Sequence, residues 1–328
     1  MNDSIVLTDN RGFALILTVL MVSLMVVLTL HFSRSVRSAL YASANLKDGV
    51  RTGYMARSGF NCAVALLSED AAFSDCDSLL EPWADSKRLS AFSTTLFEDG
   101  YFELEIVDLA GKIQINKLVD NKGNFNEEQK AMVERFLSAD QFGLNDEAIG
   151  NLIDAIKDWI DPDDEPTRFG AENAYYQGLT HPYPCKNGPL ESLGELLAIK
   201  GMSQELFYGT DKTPGIYPYL TVHGEGRINI NTANPLILNA LAEEIDAAMV
   251  EEMIHYRMDQ ENELSDPGWY QKVPGMAHIL IPSSLITSTS RYFEIRSTGI
   301  SGTLKKEVWG TIRRGDKKQV DILSRKIE

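Results

Sequence analysis

The sequence predicts an α+β fold: one long N-terminal helix, a small antiparallel sheet, and a large helical domain inserted into that sheet. Three observations carry this. An uncharged apolar run, Phe13 to Leu30, is followed by a Pro-free helical pattern reaching about Asp70. An alternating strand pattern at Tyr101–Val107 (YFELEIV) has counterparts only near the C-terminus, at Tyr292–Ser297 (YFEIRS) and Lys306–Ile312 (KEVWGTI). Between them, residues from about 117 to 280 read mainly as helices, with turns at Gly143, Pro162, Pro166, Gly201, Pro235 and Gly275.

The apolar run reads FALILTVLMVSLMVVLTL. At ~1.5 Å per residue a helix of that length spans roughly 27 Å, close to the ~30 Å hydrocarbon core of a bilayer. A removable signal peptide would close its apolar region with small residues such as A-x-A. Here His31, Phe32, Arg34 and Arg37 follow, so the segment is expected to stay on the mature chain. From His31 onward, Val36, Leu40, Ala44, Val50, Tyr54, Met55, Ser58, Cys62, Ala65 and Leu66 approximate one helical face, expected to carry the sheet. After Pro82 and a polar stretch come the first strand and a second short one at Lys112–Asn116 (KIQIN). From Lys305 the chain is basic, the composition of a solvated edge strand guarded by lysines or of a docking site for an acidic partner.

Within the helical block, Leu196–Met202 (LLAIKGM) and Tyr270–Met276 (YQKVPGM) both run apolar residues into Gly-Met. Between them lies INTANPLILNALAEEIDAAMVEEMIHYR, where Asn231 or Thr232 can cap a helix and Pro235 suits its first turn. The pattern resembles tandem helix-hairpin-helix (SAM-like) modules. The DNA-binding members of that group use a G-I-G hairpin, whose bare backbone admits a phosphate. The matching turn here is Glu243-Glu244-Ile245-Asp246, which puts three carboxylates where the phosphate would sit. No nucleic-acid partner is expected.

The most acidic stretch lies between Asp140 and Glu172, with Lys157 and Arg168 its basic residues. Leu152, Ile153, Ile156, Trp159 and Ile160 give a helix its buried face, and Pro162 stops it. Carboxylates packed as closely as Asp158-Trp-Ile-Asp161-Pro-Asp163-Asp164-Glu165 repel one another unless a cation intervenes, and calcium takes six to eight oxygens in a flexible shell. Asp161, Asp163, Glu165 and Glu172 have the spacing of an EF-hand loop, but Pro166 stands where that loop needs Gly. An irregular calcium loop is the expectation, with Asp158, Asp161, Asp163 and Glu172 as ligands.

Composition narrows the function. A net charge of −16 over 328 residues leaves no general basic face for phosphates. Cys62, Cys76 and Cys185 form no zinc motif; Cys62 could pair with Cys76 or lie as a buried thiol. The histidines fit no H-E-x-x-H spacing, and neither a nucleophile elbow nor a phosphate loop occurs. A carboxylate pair in the acidic loop could hydrolyse a sugar only with a geometry that spacing does not supply. The chain therefore reads as a structural protein rather than an enzyme.

A short polar leader ending in Arg11-Gly12, then Phe13 and a retained apolar helix, resembles the class III leader of type IV pilins and pseudopilins. The resemblance implies that a prepilin peptidase cuts after Gly12 and methylates Phe13. Leu17 stands where the family usually has Glu, a residue thought to meet the N-terminal amine of the neighbouring subunit. Together with the split sheet and DWIDPDDEP followed by Gly170-Ala-Glu172-Asn173 and Tyr175-Tyr176, this order resembles the minor pseudopilin K family of type II secretion over nearly the whole chain. That family implies a non-enzymatic pilin-like subunit at the pseudopilus tip, capping and priming assembly with the I- and J-type minor pseudopilins and other pseudopilus subunits on the inner-membrane secretion platform. It also implies calcium in the helical domain and a single-pass inner-membrane anchor with a periplasmic head. Counting positive charges around the anchor favours a cytoplasmic head instead. The corresponding segments are a leader (1–12), a transmembrane part (13–30), a pilin-like helix with first strands (31–116), the inserted domain (117–284) and closing strands (285–328). A membrane-anchored helix-hairpin-helix protein of DNA uptake or of a type IV pilus is the alternative.

Overall fold

The computed structural model describes residues 11–315 and 319–328, and side chains from Gly12 onward. The proposed leader lies largely outside the described residues; Gly12 and Phe13 sit in the first turn of the first helix, with Phe13 exposed. That helix, α1 (Arg11–Asp70), is unbroken and ~90 Å long. Every residue from Gly12 to Lys47 is exposed, and α1 is long and apolar enough to cross a membrane.

The C-terminal part of α1 packs on a four-stranded antiparallel sheet. Its strands are β1 (Tyr101–Asp108), β6 (Tyr292–Ser301), β7 (Leu304–Arg314) and β8 (Val320–Ile327), in that spatial order. Helix α2 (Ser86–Ser93) lies against β1, and Ser93 Oγ donates to the Phe102 carbonyl at 2.7 Å. The buried face of α1 is Thr52, Met55, Ala56, Phe60, Ala63 and Leu67. Of the face expected from sequence Met55 belongs to it and Cys62 and Leu66 pack against its edge, half-buried; Val36, Leu40, Val50 and Tyr54 are exposed. The expectation followed the large apolar residues. The sheet instead approaches along Ala56 and Ala63, where short side chains let the backbones come close, while the bulkier residues nearer the N-terminus extend the bare rod.

The helical domain replaces the turn between two neighbouring strands. The chain leaves the sheet at Asp108 and returns at Tyr292, and the Leu109 amide donates to the Tyr292 carbonyl at 2.9 Å, closing the neck. The sheet is thus continuous although its strands are far apart in sequence. KIQIN belongs to the domain, not to this sheet: β2 (Ile113–Gln114) pairs in parallel with β3 (Leu220–Thr221), and a 3-10 turn follows at Ile115–Leu118. A second parallel pair joins β4 (Ile228–Asn229) to β5 (Ile286–Thr287). Around one core lie α3 (Glu127–Leu137), α4 (Asp146–Ile160), α5 (Asn173–Gln177), α6 (Gln204–Tyr208), α7 (Pro235–Ala240) and α8 (Ala247–Met258).

The helix-hairpin expectation corresponds to α7, a turn and α8. The cap is Asn234, whose Oδ1 accepts from the Leu236 amide at 3.0 Å, with Pro235 at the first helical position. Asn231 is instead buried and accepts from Trp269 Nε1 at 2.7 Å, while Thr232 turns to the neck. The Gly-Met repeat is two copies of one local structure. Each is a 3-10 segment (Leu193–Ala198 and Pro267–Lys272) followed by a left-handed glycine, Gly201 at φ +87° and Gly275 at φ +82°. A side chain at either position would be strained in that conformation. Cys62, Cys76 and Cys185 are free thiols.

The neck is held by a buried polar cluster. Asp108 Oδ2 accepts from Ser290 Oγ (2.6 Å), Thr232 Oγ1 (2.6 Å) and Asn229 Nδ2 (3.0 Å). Beside it Arg314 Nη2 grips Asp77 Oδ1 and Oδ2 (2.5 and 2.6 Å) and the Ser290 carbonyl (2.8 Å), while Nη1 reaches Asp70 Oδ2 (3.0 Å). One guanidinium therefore ties the end of α1, the segment after it, the end of β7 and the returning neck. Removing one partner from a buried pair strands the other charge and costs about 3–5 kcal/mol, whereas an exposed pair contributes about 0–1 kcal/mol. Arg314→Ala should accordingly lower unfolding free energy by about 3–5 kcal/mol. Arg313→Ala, which breaks the exposed 2.7 Å contact to Asp321, should cost far less than Arg314→Ala, because solvent screens that pair. Equal losses in denaturant titrations would contradict this assignment of the neck.

Candidate metal centre

Helix α4 places the first two carboxylates. Its apolar face (Ile149, Leu152, Ile153, Ile156, Trp159) faces the core, and Asn145 caps its start by accepting from the Ala148 amide at 2.8 Å. Asp158 lies in the last turn, and Asp161 is the C-cap, three residues on and on the same side. Pro162 then turns the chain into a loop that folds back over the helix end, so that Glu172, immediately before α5, meets both. Carboxylate oxygens of Asp158, Asp161 and Glu172 lie within 4.8 Å of one another, and all three residues are buried.

The loop is built for this approach. The Thr167 amide donates to both Asp158 oxygens (3.0 and 3.1 Å), and the Phe169 amide donates to Asp154 Oδ2 (3.2 Å). A Cβ at Gly170 would fall 1.9 Å from Asp158 Oδ2, so only glycine lets the backbone pass there. Lys200 Nζ, reaching from the segment before α6, donates to the Phe169 and Gly170 carbonyls at 3.0 Å each. Lys157 Nζ contacts Asp161 Oδ2 and donates to Thr167 Oγ1 at 2.9 Å.

Three of the four expected ligands therefore come together, and Asp163 does not join them. It is exposed, and its Oδ1 accepts from the Glu165 amide at 2.8 Å in a local turn. Pro162 is the physical reason: it directs the chain outward, and the loop returns only at Thr167. Sequence reasoning overlooked Lys157, Thr167 and Gly170. Of these only Lys157, four residues before Asp161 on the same helix, carried a readable signal.

The electrostatics leave the cluster short of positive charge. Asp161 Oδ1 and both Glu172 oxygens are buried without a hydrogen-bond partner. Burial raises the pKa of all three carboxyls, and for Glu172 the neighbouring Asp158 and Asp161 charges push it further, to about 7. Orphaned oxygens facing one another are what a hard divalent cation satisfies, so the residues present fit calcium.

The α7–α8 turn, where no phosphate is expected from sequence, is arranged differently. Glu243 and Glu244 are exposed on it, Asp246 Oδ1 caps α8 at the Met249 amide (2.8 Å), and Arg135 donates to the Ala240 and Leu241 carbonyls (2.7 and 3.0 Å). The cation nearby is thus spent on the helix end, and acidic side chains face outward.

Comparison with known proteins places this geometry. The family model described as type II secretion system (T2SS), protein K matches residues 111–212, which include the carboxylate cluster. Type II secretion system protein K of Aeromonas hydrophila is 26% identical, the match covering 92% of this chain and 90% of that one. The chain is similar to type II secretion system protein K over nearly its whole length. Its counterpart in Pseudomonas aeruginosa is 24% identical, across 96% of this chain and 92% of the relative. The fold also matches a chain in the crystal structure of the GspK-GspI-GspJ complex from enterotoxigenic Escherichia coli, with a TM-score of 0.67 and 17% identity, covering 87% of this chain and 99% of that one. The α+β, pilin-like architecture is thereby that of a solved structure.

The sign of the pH effect follows from Glu172. Its folded-state pKa of about 7 lies above the ordinary 4.5, so the folded protein holds a proton that the unfolded chain gives up. This contribution to stability is complete below about pH 4.5 and is lost as pH rises through about 7. In chelator, melting temperature should fall between pH 5 and pH 8, and Glu172→Gln should flatten that fall. A profile identical in both proteins would contradict the placement of Glu172.

Proposed function

We propose that this chain is the minor pseudopilin at the tip of a type II secretion pseudopilus, where it caps and primes assembly for export across the outer membrane. Phe13–Leu30 anchors it in the inner membrane as a single pass, with the head in the periplasm, and later packs among the helices of partner subunits. The observation that carries this reading is the bare half of α1 beneath a head that widens at the opposite end. The helical domain joins the sheet beside Asp70, the end of α1 far from the membrane, where a further subunit would have to stack. Leu17 suits that position, since a subunit with nothing above it has no amine for a carboxylate to meet. Processing would cut after Gly12 and methylate Phe13.

The partners in this reading are I- and J-type minor pseudopilins, consistent with the composition of the solved complex that the fold matches. The role is structural, not catalytic. The DNA-uptake alternative is disfavoured by the exposed Glu243 and Glu244 on the hairpin turn, which repel a phosphate. The full chain, extracted in mild detergent, should co-purify with I- and J-type minor pseudopilins from the same secretion system. Recovery of the chain alone, with the pseudopilins intact in the same extract, would contradict the proposal.

Within that role, Asp158, Asp161 and Glu172 would hold calcium, which when bound supplies the positive charge that the cluster lacks and fixes the loop against α4. A ligand that binds only the folded state raises its stability. Millimolar calcium should therefore raise the melting temperature of the detergent-solubilised chain, and Asp161→Asn should abolish the rise. No shift in the wild-type chain would contradict the calcium reading.

A further inference from the structure

Resting on the calcium reading of the Asp158–Asp161–Glu172 cluster, we propose that Lys157 is a tethered rival of the cation: its ammonium holds Asp161 in the metal-free site and must withdraw before calcium binds. Lys157 thus sets the calcium concentration at which the loop locks.

The charge arrangement is the starting point. Among the described residues, the Lys157–Asp161 contact is the ion pair made by this cluster; Lys200, the other ammonium close to the loop, is engaged by backbone carbonyls. Lys157 neutralises one carboxylate through Asp161 Oδ2 and spends another donor on Thr167 Oγ1. It leaves Asp161 Oδ1 and both oxygens of Glu172 unmatched. An ammonium on one edge of the cluster is therefore a partial substitute for a divalent ion at its centre.

The two cations exclude each other. A calcium ion drawing on Asp161 would lie a few ångströms from the ammonium, and two positive charges in a buried site repel strongly because little water screens them. Lys157 has a way out. Its side chain is 14% exposed whereas that of Asp161 is fully buried, and a flexible four-carbon stem can carry the ammonium to solvent. Withdrawal also frees Thr167, whose amide holds Asp158, so exchanging one cation for the other is felt along the loop. An arginine here would remain a rival, and an uncharged residue would not.

Calcium chloride titrated calorimetrically into the detergent-solubilised full chain tests this with wild-type protein, Lys157→Met, Lys157→Gln and Lys157→Arg. Removing the rival charge should tighten calcium binding about tenfold or more in both Met and Gln variants. Lys157→Arg should stay within about threefold of wild type. In chelator the Met and Gln variants should melt below wild type, because the cluster has lost its substitute cation. Should Lys157→Met fold poorly, Lys157→Gln keeps a hydrogen bond for Thr167 and decides the question. Equal or weaker calcium binding in the uncharged variants, with clear binding by wild type, would overturn the rivalry and leave the calcium site standing. Binding in none of the four proteins at millimolar calcium would overturn both. Binding in the uncharged variants alone would support the rivalry in its strongest form.

Discussion

The first half of α1 has no partner within its own chain, and the rest of the structure depends on that constraint. A helix exposed from Gly12 to Lys47 and uncharged from Phe13 to Leu30 is unfavourable in water along its apolar length, so that length must sit in lipid or against other helices. The head does not relieve this, because its sheet begins to cover α1 only near Thr52. What the head supplies is a rigid load on the far end of the rod. In the proposed role, membrane residence and later packing among sister helices are two solutions to the same exposure.

The rigidity of that load comes from the neck. Inserting a domain between β1 and β6 leaves two chain crossings as its covalent tether, and Arg314, Asp77 and Asp108 stiffen them in a dry environment. The same low-dielectric setting that makes a broken pair costly makes an intact one specify orientation. The carboxylate cluster on α4 is a second, independent brace, located inside the domain rather than at its root. One brace is permanent; the other, in the calcium reading proposed above, would respond to a cation.

Much of this was legible from sequence where one force acts alone. The membrane run, the strands YFELEIV and YFEIRS, and the α4 face all follow from hydrophobic periodicity. Asp158 and Asp161 were readable from the density of carboxylates at the helix exit, and Glu172 from its EF-hand-like spacing after Asp161. The errors fall where tertiary context decides. KIQIN has a strand pattern, but its partner is Leu220–Thr221 over a hundred residues away, which periodicity does not reveal. The sheet-facing side of α1 was read only in part, because close packing selected Ala56 and Ala63 over larger apolar neighbours. Asp163 has the composition of a ligand, but Pro162 sends it outward. Nothing local in the sequence announces that Arg314 and Asp77 will meet.

The central claim is that this head ends a filament. Its most direct test is to insert a compact tag in the exposed turn at Asp211–Lys212 and image assembled pseudopili by electron microscopy. A single tag at the distal end, with none along the shaft, is the predicted result; tags repeating along the shaft would contradict it.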